Sequence, residues 1–190
     1  MSIILYLGKS VKEYESVGEK IIKRGLKEGN IRCESCTQPM KRHSSYTRTI
    51  KETGQEIEIT MVWCKPCKNW HAVTPDFLLR NKHYSGNEIE SVIIDSATVL
   101  VLQIETEASE STVRRWINQI GERIKRAIRI LEYIFWQMGK AVGMVAINAK
   151  TGYSELENIL EMAPSQAQYS GNKLGLANIW LGYFGRTSYI

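Results

Sequence analysis

The four cysteines are the residues of this chain whose types and spacing point most directly to chemistry. They form two Cys-x-x-Cys pairs, Cys33 with Cys36 and Cys64 with Cys67, separated by 27 residues. Each pair forms a tight turn that presents two thiolates, and two such turns supply the four sulfur ligands of a tetrahedral Zn²⁺ site. Four thiolates leave no open coordination position, so a metal held here is structural rather than catalytic. We therefore predict one Zn²⁺ as cofactor, bound by these four cysteines.

Two other uses of the same cysteines remain as alternatives. Disulfides need an oxidising compartment, and the amino terminus has no basic region followed by an apolar run and a cleavage site. We therefore expect reduced thiols and a cytoplasmic protein. Iron in a rubredoxin-like site uses the same spacing, and the spacing does not separate iron from zinc.

The interval between the two pairs has the pattern of a β-hairpin. Apolar and polar residues alternate over residues 46–50 and again over residues 57–63, and a turn sequence lies at residues 52–55. The hairpin carries the second pair back to the first, as in a zinc ribbon. His71 follows Cys67 by four residues, but the thiolate set is already complete, so we expect it beside the site and not as a ligand.

Composition and charge limit what the rest of the chain can be. The chain has 190 residues, of which 43% are hydrophobic and 24% charged, as is typical of a folded soluble protein. The sequence contains no stretch of 18 uncharged apolar residues, so no membrane span is expected. The net charge is +5, and residues 111–130 contain six basic residues against Glu122 alone. The positive charge is therefore concentrated in one segment, which suits a polyanionic partner.

Several helices and one further strand frame the predicted ribbon. Residues 3–7 are an apolar run that suits a buried strand. Capping-box pairs predict helix starts at Ser10 with Glu13, at Ser85 with Glu88 and at Ser154 with Glu157. The first of these helices is expected over residues 11–27.

Residues 111–120 predict an amphipathic helix with one apolar and one polar face. Val113, Trp116, Ile117 and Ile120 have helical spacing on the apolar side. The opposite side carries residue types that contact base edges and phosphates, as the second helix of a helix-turn-helix does. The predicted DNA contacts on this segment are Ser111, Thr112, Arg114, Arg115, Asn118, Arg123, Lys125 and Arg126. Further phosphate contacts are predicted near the ribbon, at Lys41, Arg42, Lys65 and Lys68.

The apolar series continues to about residue 138, with a bend expected at Gly121. Such a long series can form a dimer seam over residues 113–138, or one face of a bundle. The tail over residues 166–190 carries five aromatic residues among glycines, and we expect it to dock on the body or on a second subunit. A homodimer through the seam or the aromatic tail is therefore a prediction, together with double-stranded DNA as the main partner.

These observations predict an α+β protein, in which a small zinc ribbon is joined to a helix-turn-helix region and further carboxy-terminal helices. The expected domains are a strand and helix over residues 1–30, the zinc ribbon over 31–80, and the helix-turn-helix with a long basic helix over 81–139. A helical tail over 140–190 completes the chain.

One combination of motifs resembles an uncharacterised bacterial family that joins a zinc ribbon to a helix-turn-helix. The motifs are the paired cysteines, Trp70-His71-Ala72, Pro75-Asp76-Phe77-Leu78, Tyr84-Ser85 and Ser111-Thr112-Val113-Arg114-Arg115-Trp116. The family looks like the amino-terminal part of insertion-sequence transposases, and the resemblance covers roughly residues 1–120. It implies DNA binding in connection with mobile elements.

The leading functional hypothesis is thus a zinc-containing protein that binds duplex DNA and supports transposition or its regulation. A protein-interaction adaptor is the main alternative. A nuclease or transposase with its own catalysis needs acidic residues that hold metal ions, and Asp76 and Asp95 are the only aspartates in the chain. We therefore expect no enzymatic activity.

Overall fold

The computed structural model describes residues 2–140, 151–163, 169 and 171–183. A four-stranded sheet is built by the amino-terminal half of the chain, and a group of helices follows it. The mixed α+β class predicted from the sequence is confirmed. Within the described ranges, no helix combines the length and the apolar character that a membrane crossing requires.

The sheet has the strand order β1-β4-β3-β2. Its strands are β1 (Ser2–Leu5), β2 (Lys41–Thr49), β3 (Glu56–Cys64) and β4 (Asn69–Pro75). Strands β2 and β3 form the predicted hairpin, with Tyr46 opposite Ile59 and Arg48 opposite Ile57. Strand β4 runs antiparallel to β3, while β1 joins the other edge of β4 in parallel.

The first helical stretch packs against this sheet. It consists of α1 (Val11–Glu13), a π-helical segment (Tyr14–Gly18) and α2 (Glu19–Lys27), so the helix predicted over residues 11–27 is confirmed. Ser10 caps it by accepting a hydrogen bond from the Glu13 N–H at 3.3 Å. Gly18 is required by close approach, because an added Cβ would lie 2.5 Å from the carbonyl oxygen of Leu7.

The remaining helices form a second layer with its own apolar core. They are α3 (Gly86–Asp95), α4 (Glu110–Gln137), α5 (Tyr153–Leu160) and α6 (Lys173–Tyr183), and a 3₁₀ turn lies at Val101–Gln103. Ser85 caps α3 as predicted, accepting from the Glu88 N–H at 3.1 Å. The start of α5 differs from the prediction, because Gly152 occupies the N-cap position and Ser154 lies inside the helix.

Helix α4 organises this second layer. It is one helix of 28 residues, and it continues through Gly121 without interruption. Its apolar residues from Val113 to Phe135 are buried in contact with α3, α5 and α6. Most side chains of the predicted dimer seam therefore form the core of the chain itself, whereas Met138 at its end is 41% exposed. A homodimer stays a prediction.

The connection between α3 and α4 is longer than the turn of a helix-turn-helix. Residues 96–109, 14 in number, separate the two helices, whereas the motif joins its helices through three or four residues. The helix-turn-helix interpretation is therefore not established by this geometry. The start of α4 nevertheless carries the exposed residues Ser111, Arg114 and Arg115 that the sequence predicted as DNA contacts.

The described part of the tail packs on the body. Leu174, Ala177 and Leu181 of α6 are buried in the helical core, and the Trp180 ring meets Phe135 edge-on at a centroid distance of 5.2 Å. The tail residues Phe184 and Tyr189 lie outside the described residues.

Two buried polar residues join the sheet to the second layer. Asp76, which follows β4 directly, accepts hydrogen bonds from the Leu7 N–H at 3.4 Å and from the Tyr169 hydroxyl. Arg48 of β2 donates to the carbonyl oxygens of Leu79 and Lys82. Burial raises the pKa of Asp76 and lowers the pKa of Arg48, since both charged forms lose water. The apolar core changes from the sheet cluster to the helical cluster between Leu78 and Leu79.

Replacing Asp76 tests this junction. The folded pKa is raised, so the native state binds the proton more readily, and stability falls as the pH rises from the unfolded pKa of about 3.9 through the folded pKa. We expect Asp76→Asn to keep the hydrogen bond from the Leu7 N–H and to donate its amide N–H to the Tyr169 hydroxyl oxygen, reversing the second bond, and to weaken this decline in urea unfolding. We expect Asp76→Ala to cost about 1–3 kcal/mol at neutral pH, because the donors lose their acceptor.

Metal content is measured at each pH, so that loss of a metal is not mistaken for the effect of Asp76. An Asn variant with the stability and pH dependence of the Ala variant would contradict the assigned role.

Candidate metal centre

The four cysteines meet at one end of the sheet. Cys33 and Cys36 lie in a turn after the first helical stretch, and this turn is closed by hydrogen bonds from the Thr37 N–H to the Cys33 carbonyl and from the Cys33 N–H to the Gln38 carbonyl. Cys64 ends β3, and Cys67 lies in the turn that leads to β4. Pairing of β3 with β4 therefore fixes the second pair, while the first pair comes from a separate part of the chain.

The two turns have the same backbone geometry. The residue after each pair adopts a left-handed conformation, with φ of 60° at Thr37 and 52° at Lys68. Residues with a Cβ rarely adopt this conformation, so its occurrence at equivalent positions marks a shared requirement of the two turns. The two turns therefore hold their pairs of sulfurs in the same backbone setting.

The sulfur positions fit a tetrahedral metal ion. The four Sγ atoms all lie within 4.8 Å of one another, with 3.8 Å between Cys33 and Cys67 and 3.4 Å between Cys36 and Cys64. A tetrahedron with metal–sulfur bonds of about 2.3 Å has sulfurs roughly 3.8 Å apart. The cysteines are free thiols, and the disulfide alternative would need sulfurs about 2.05 Å apart. The cluster is thus compatible with a metal site.

The electrostatics of the cluster also favour a cation. Burial raises the pKa of the Cys33 thiol, but hydrogen bonds from the backbone N–H groups of Ser35 and Cys36 more than offset this effect and lower it to about 7. The pKa of the Cys67 thiol is raised to about 12, first by its hydrogen bond with Cys36 and then by burial. Crowded thiolates repel one another, so a bound cation is needed to keep all four ionised at neutral pH.

His71 lies beside the cysteine cluster. Its side chain is fully buried, and its Nε2 lies 3.8 Å from the Cys33 Sγ. Burial lowers the pKa of His71, which favours a neutral ring. A neutral ring can donate its Nε2–H towards the Cys33 sulfur while Cys33 remains a metal ligand. The position agrees with the role expected from the sequence, next to the sulfurs.

The predicted DNA-contacting residues of α4 lie on its exposed side, and several are already paired. Arg114 forms an ion pair with Glu110 at 2.6 Å, and Lys125 with Glu122 at 3.0 Å. Arg115, Arg123 and Arg126 form no ion pair among the described residues. Ser111 and Asn118 are exposed, and Thr112 is half-buried. The unpaired arginines are therefore the positive charges that α4 offers to a partner.

A hollow of about 570 Å³ lies at the start of α4, and we call it the α4 hollow. Its lining includes Lys51, Lys82, His83, Thr112 and Arg115, and Glu107 is the one acidic residue that the described part of the chain contributes to it. Burial lowers the pKa of Lys82, and the nearby charges of Arg123 and Arg115 lower it further. Lys82 and Arg115 thus lie in one hollow near the start of α4, and Arg123 lies about two helical turns further along the same helix.

The predicted basic residues near the ribbon lie on its surface. Lys41, Lys65 and Lys68 are exposed and have no ion pair within the described ranges, whereas Arg42 lies 3.7 Å from a carboxylate oxygen of Glu58. These residues stand at the cysteine end of the sheet, and the α4 hollow stands at the other end of the hairpin. The structure therefore divides the predicted contacts into two groups.

Lys51 and His83 line the α4 hollow, although the spacing of charges in the sequence did not indicate them. Lys51 lies in the hairpin turn, where its ammonium is 5.9 Å from the centroid of the Tyr84 ring, and its N–H donates to the His83 carbonyl. This contact joins residues more than thirty positions apart. The local sequence gives no signal for it.

Residues 33–116 match a family model described as a domain of unknown function (DUF6431). The matched segment begins at the first cysteine of the site and ends at Trp116, within α4. It thus contains the cysteine cluster, the hairpin, α3 and the start of α4. Neither the curated proteins nor the solved structures gave a significant match to the chain.

Two substitutions separate the sulfur ligands from His71. We expect purified protein to contain one metal ion per chain, and Cys64→Ser to lose it, because three thiolates and a hydroxyl bind such a metal far more weakly. We expect His71→Ala to retain one metal ion per chain, since the ring lies outside the sulfur set. Elemental analysis and titration of free thiols measure both effects. Metal loss in His71→Ala with all cysteines intact would show that His71 is a ligand.

Proposed function

We propose that this protein binds one Zn²⁺ through Cys33, Cys36, Cys64 and Cys67. The support is the number and arrangement of the sulfurs, because Zn²⁺ favours four thiolates in a tetrahedral site and adds no redox chemistry. A zinc ion here links the turn that carries Cys33 and Cys36 to the end of β3, and so stabilises one end of the sheet. The fully closed ligand set assigns it a structural role.

Elemental analysis identifies the metal. We expect zinc at a ratio of about one per chain in protein purified without added metal, and no absorption in the visible range, because Zn²⁺ has a filled d shell. A chelator that removes the metal should lower the thermal stability of the sheet. Iron at stoichiometric amount with a visible spectrum would instead support the rubredoxin-like alternative.

We propose further that the protein binds double-stranded DNA through the α4 hollow and the exposed side of α4. One observation carries this proposal: Lys82 and Arg115 line the same hollow, and neither forms an ion pair among the described residues. Like charges at short distance repel, so the arrangement favours a polyanion that neutralises them. The phosphates of DNA supply that charge.

The exposed side of α4 and its surroundings offer side chains for two kinds of contact, one with base edges and one with phosphates. Thr112, Arg115 and Gln119 line the hollow, and Ser111 and Asn118 are exposed beside it. Arginine and asparagine side chains can hold base edges in the major groove, while lysines beside them hold phosphates. The first three turns of α4 are then the reading segment, and Lys51 and Lys82 are positioning contacts.

A connection with mobile elements is part of the same proposal. It rests on the resemblance of the cysteine pairs, the Pro75-Asp76-Phe77-Leu78 segment and Ser111–Trp116 to the amino-terminal part of insertion-sequence transposases. In this proposal the chain supplies DNA binding for transposition or for its regulation.

A protein-interaction adaptor is the second candidate, and one observation favours it. Leu100 and Leu102, in the connection between α3 and α4, are 71% and 76% exposed. Apolar side chains with this exposure suit contact with another protein. An adaptor would bind duplex DNA weakly and without a steep salt dependence.

Arg115→Ala separates the two functions. We expect this variant to fold normally and to bind random-sequence duplex DNA with a salt slope lowered by about one unit, because each phosphate contact contributes about 0.9 to the slope. Arg24→Ala, which removes one exposed positive charge from α2, is the matched control and should keep the parent slope. Fluorescence anisotropy over a series of salt concentrations measures both.

Trp116→Ala provides the structural comparison, since Trp116 is only 1% exposed. Its loss should cost about 3–5 kcal/mol of stability by opening a core cavity, and should affect DNA only through unfolding. If Arg115→Ala binds every duplex as the parent does, with the same salt slope, the adaptor becomes the better explanation.

A further inference from the structure

An aromatic cluster lies on the sheet surface beside the cysteine knuckle. Trp63 of β3 and Trp70 of β4 are paired across the two strands, with ring centroids 4.2 Å apart. His43 meets Trp70 edge-on at 3.9 Å. Trp70 remains 42% exposed. A large aromatic side chain left this exposed on a sheet is available for contact with a flat ligand.

The surroundings of this cluster are basic. Lys41 lies opposite Trp63 in the pairing of β2 with β3, so the two side chains share one face of the sheet. Lys65 and Lys68 lie in the turn between Trp63 and Trp70, and both are exposed. These three lysines form no ion pair within the described residues. The cluster therefore combines exposed rings with positive charge.

The same face continues along β2 towards the α4 hollow. Tyr46 is 42% exposed and lies opposite Ile59, which places it on the Trp63 side of the hairpin. It lines a second hollow of about 470 Å³ with Asn81, Lys82 and His83, and these three residues also line the α4 hollow. Aromatic and basic side chains thus lie along one surface that runs from the cysteine cluster to the α4 hollow.

We propose that this surface, the aromatic track, binds single-stranded DNA by stacking unpaired bases on Trp70 and Tyr46. Every base has a flat face that stacks on an aromatic ring, and lysines beside the rings hold the phosphates. Trp70 and Tyr46 lie two strands apart and four residues apart along the hairpin, roughly 16 Å in all, which corresponds to about five stacked nucleotides at 3.4 Å each. The inference rests on the proposed function, since it gives the duplex held at α4 an adjoining site for an unpaired strand.

Single-stranded DNA fits this surface better than an apolar protein partner does. The rings are interspersed with Lys41, Lys65 and Lys68, and buried lysine charge is costly at a protein interface unless it is paired. A nucleic-acid strand supplies both the flat apolar surface and the negative charge.

Binding of a labelled oligothymidine of about 12 nucleotides to the metal-containing protein tests the inference. We expect Trp70→Ala to weaken this binding roughly 5- to 150-fold, the range that loss of one stacked base produces. Duplex DNA of the same length should bind within about twofold of the parent, because Trp70 lies away from α4. Trp136→Ala is the matched control, since Trp136 is 63% exposed and lies at the far end of α4; it should leave both affinities unchanged.

Trp70 lies near Cys67, so metal content and thermal unfolding are measured for each variant. Trp70→Phe retains an aromatic ring and should keep most of the single-strand affinity. Tyr46→Ser removes a ring far from the cysteines and should also weaken oligothymidine binding. If both ring-deleting variants bind oligothymidine as the parent does, the inference is overturned. An equal loss of single-strand and duplex affinity in Trp70→Ala would overturn it too.

Measuring duplex and oligothymidine binding of the parent protein side by side separates this inference from the proposed function. A parent protein that binds duplex DNA but no oligothymidine overturns the aromatic track alone. A parent that binds oligothymidine through Trp70 but no duplex overturns the proposed role of α4 alone. Oligouridine of the same length should bind more weakly, because thymine adds a methyl group to the stacking surface. Tighter binding of oligouridine would overturn the assignment to DNA.

Discussion

The cysteine end of the sheet depends on the close approach of four sulfurs that cannot all carry negative charge unaided. Cys33 and Cys64 are fully buried in the core of the sheet layer, together with Ile31, Met40 and Val62. The sulfurs are therefore part of the core and not an appendage to it. Mutual repulsion of thiolates and their burial both oppose ionisation, and a tetrahedral cation removes both costs at once. In this arrangement, the metal and the apolar core stabilise the same end of the sheet.

The other end of the sheet is joined to the helical layer by buried polar contacts. Water cannot reach these groups, so their hydrogen bonds must come from the protein itself. Arg48 reaches from β2 to the carbonyl oxygens of Leu79 and Lys82, and Asp76 joins Leu7 to Tyr169. Buried charges of this kind are costly unless their hydrogen bonds are satisfied. They also hold the segment over residues 77–85, in which Lys82 and His83 share the α4 hollow with the start of α4. The α4 hollow is thus a consequence of the way in which the two layers are joined.

The proposed DNA surface follows from charges that the fold brings together. On α4 alone, Arg114 and Lys125 are balanced by neighbouring glutamates, so the helix by itself is less basic than its composition indicates. The positive potential at its start arises where Arg115 shares the α4 hollow with Lys82 of another segment. Exposed ion pairs contribute little to stability. Unpaired cations held close together favour a polyanionic partner.

The sequence by itself determined the features that depend on local periodicity and spacing. The two cysteine pairs, the alternation along β2 and β3, the helix over residues 11–27 and the buried face of α4 could all be predicted, because backbone geometry repeats every two residues in a strand and every 3.6 in a helix. It also determined that His71 would lie next to the sulfurs. Tertiary structure alone decided that the apolar series of α4 from Val113 to Phe135 packs into the core of the chain, since the same pattern is also typical of a dimer seam. It decided as well that Trp70 stays exposed, and that Lys51 and His83 reach the α4 hollow. These outcomes depend on which distant elements pack together, and neither composition nor periodicity records contacts between residues far apart in the chain.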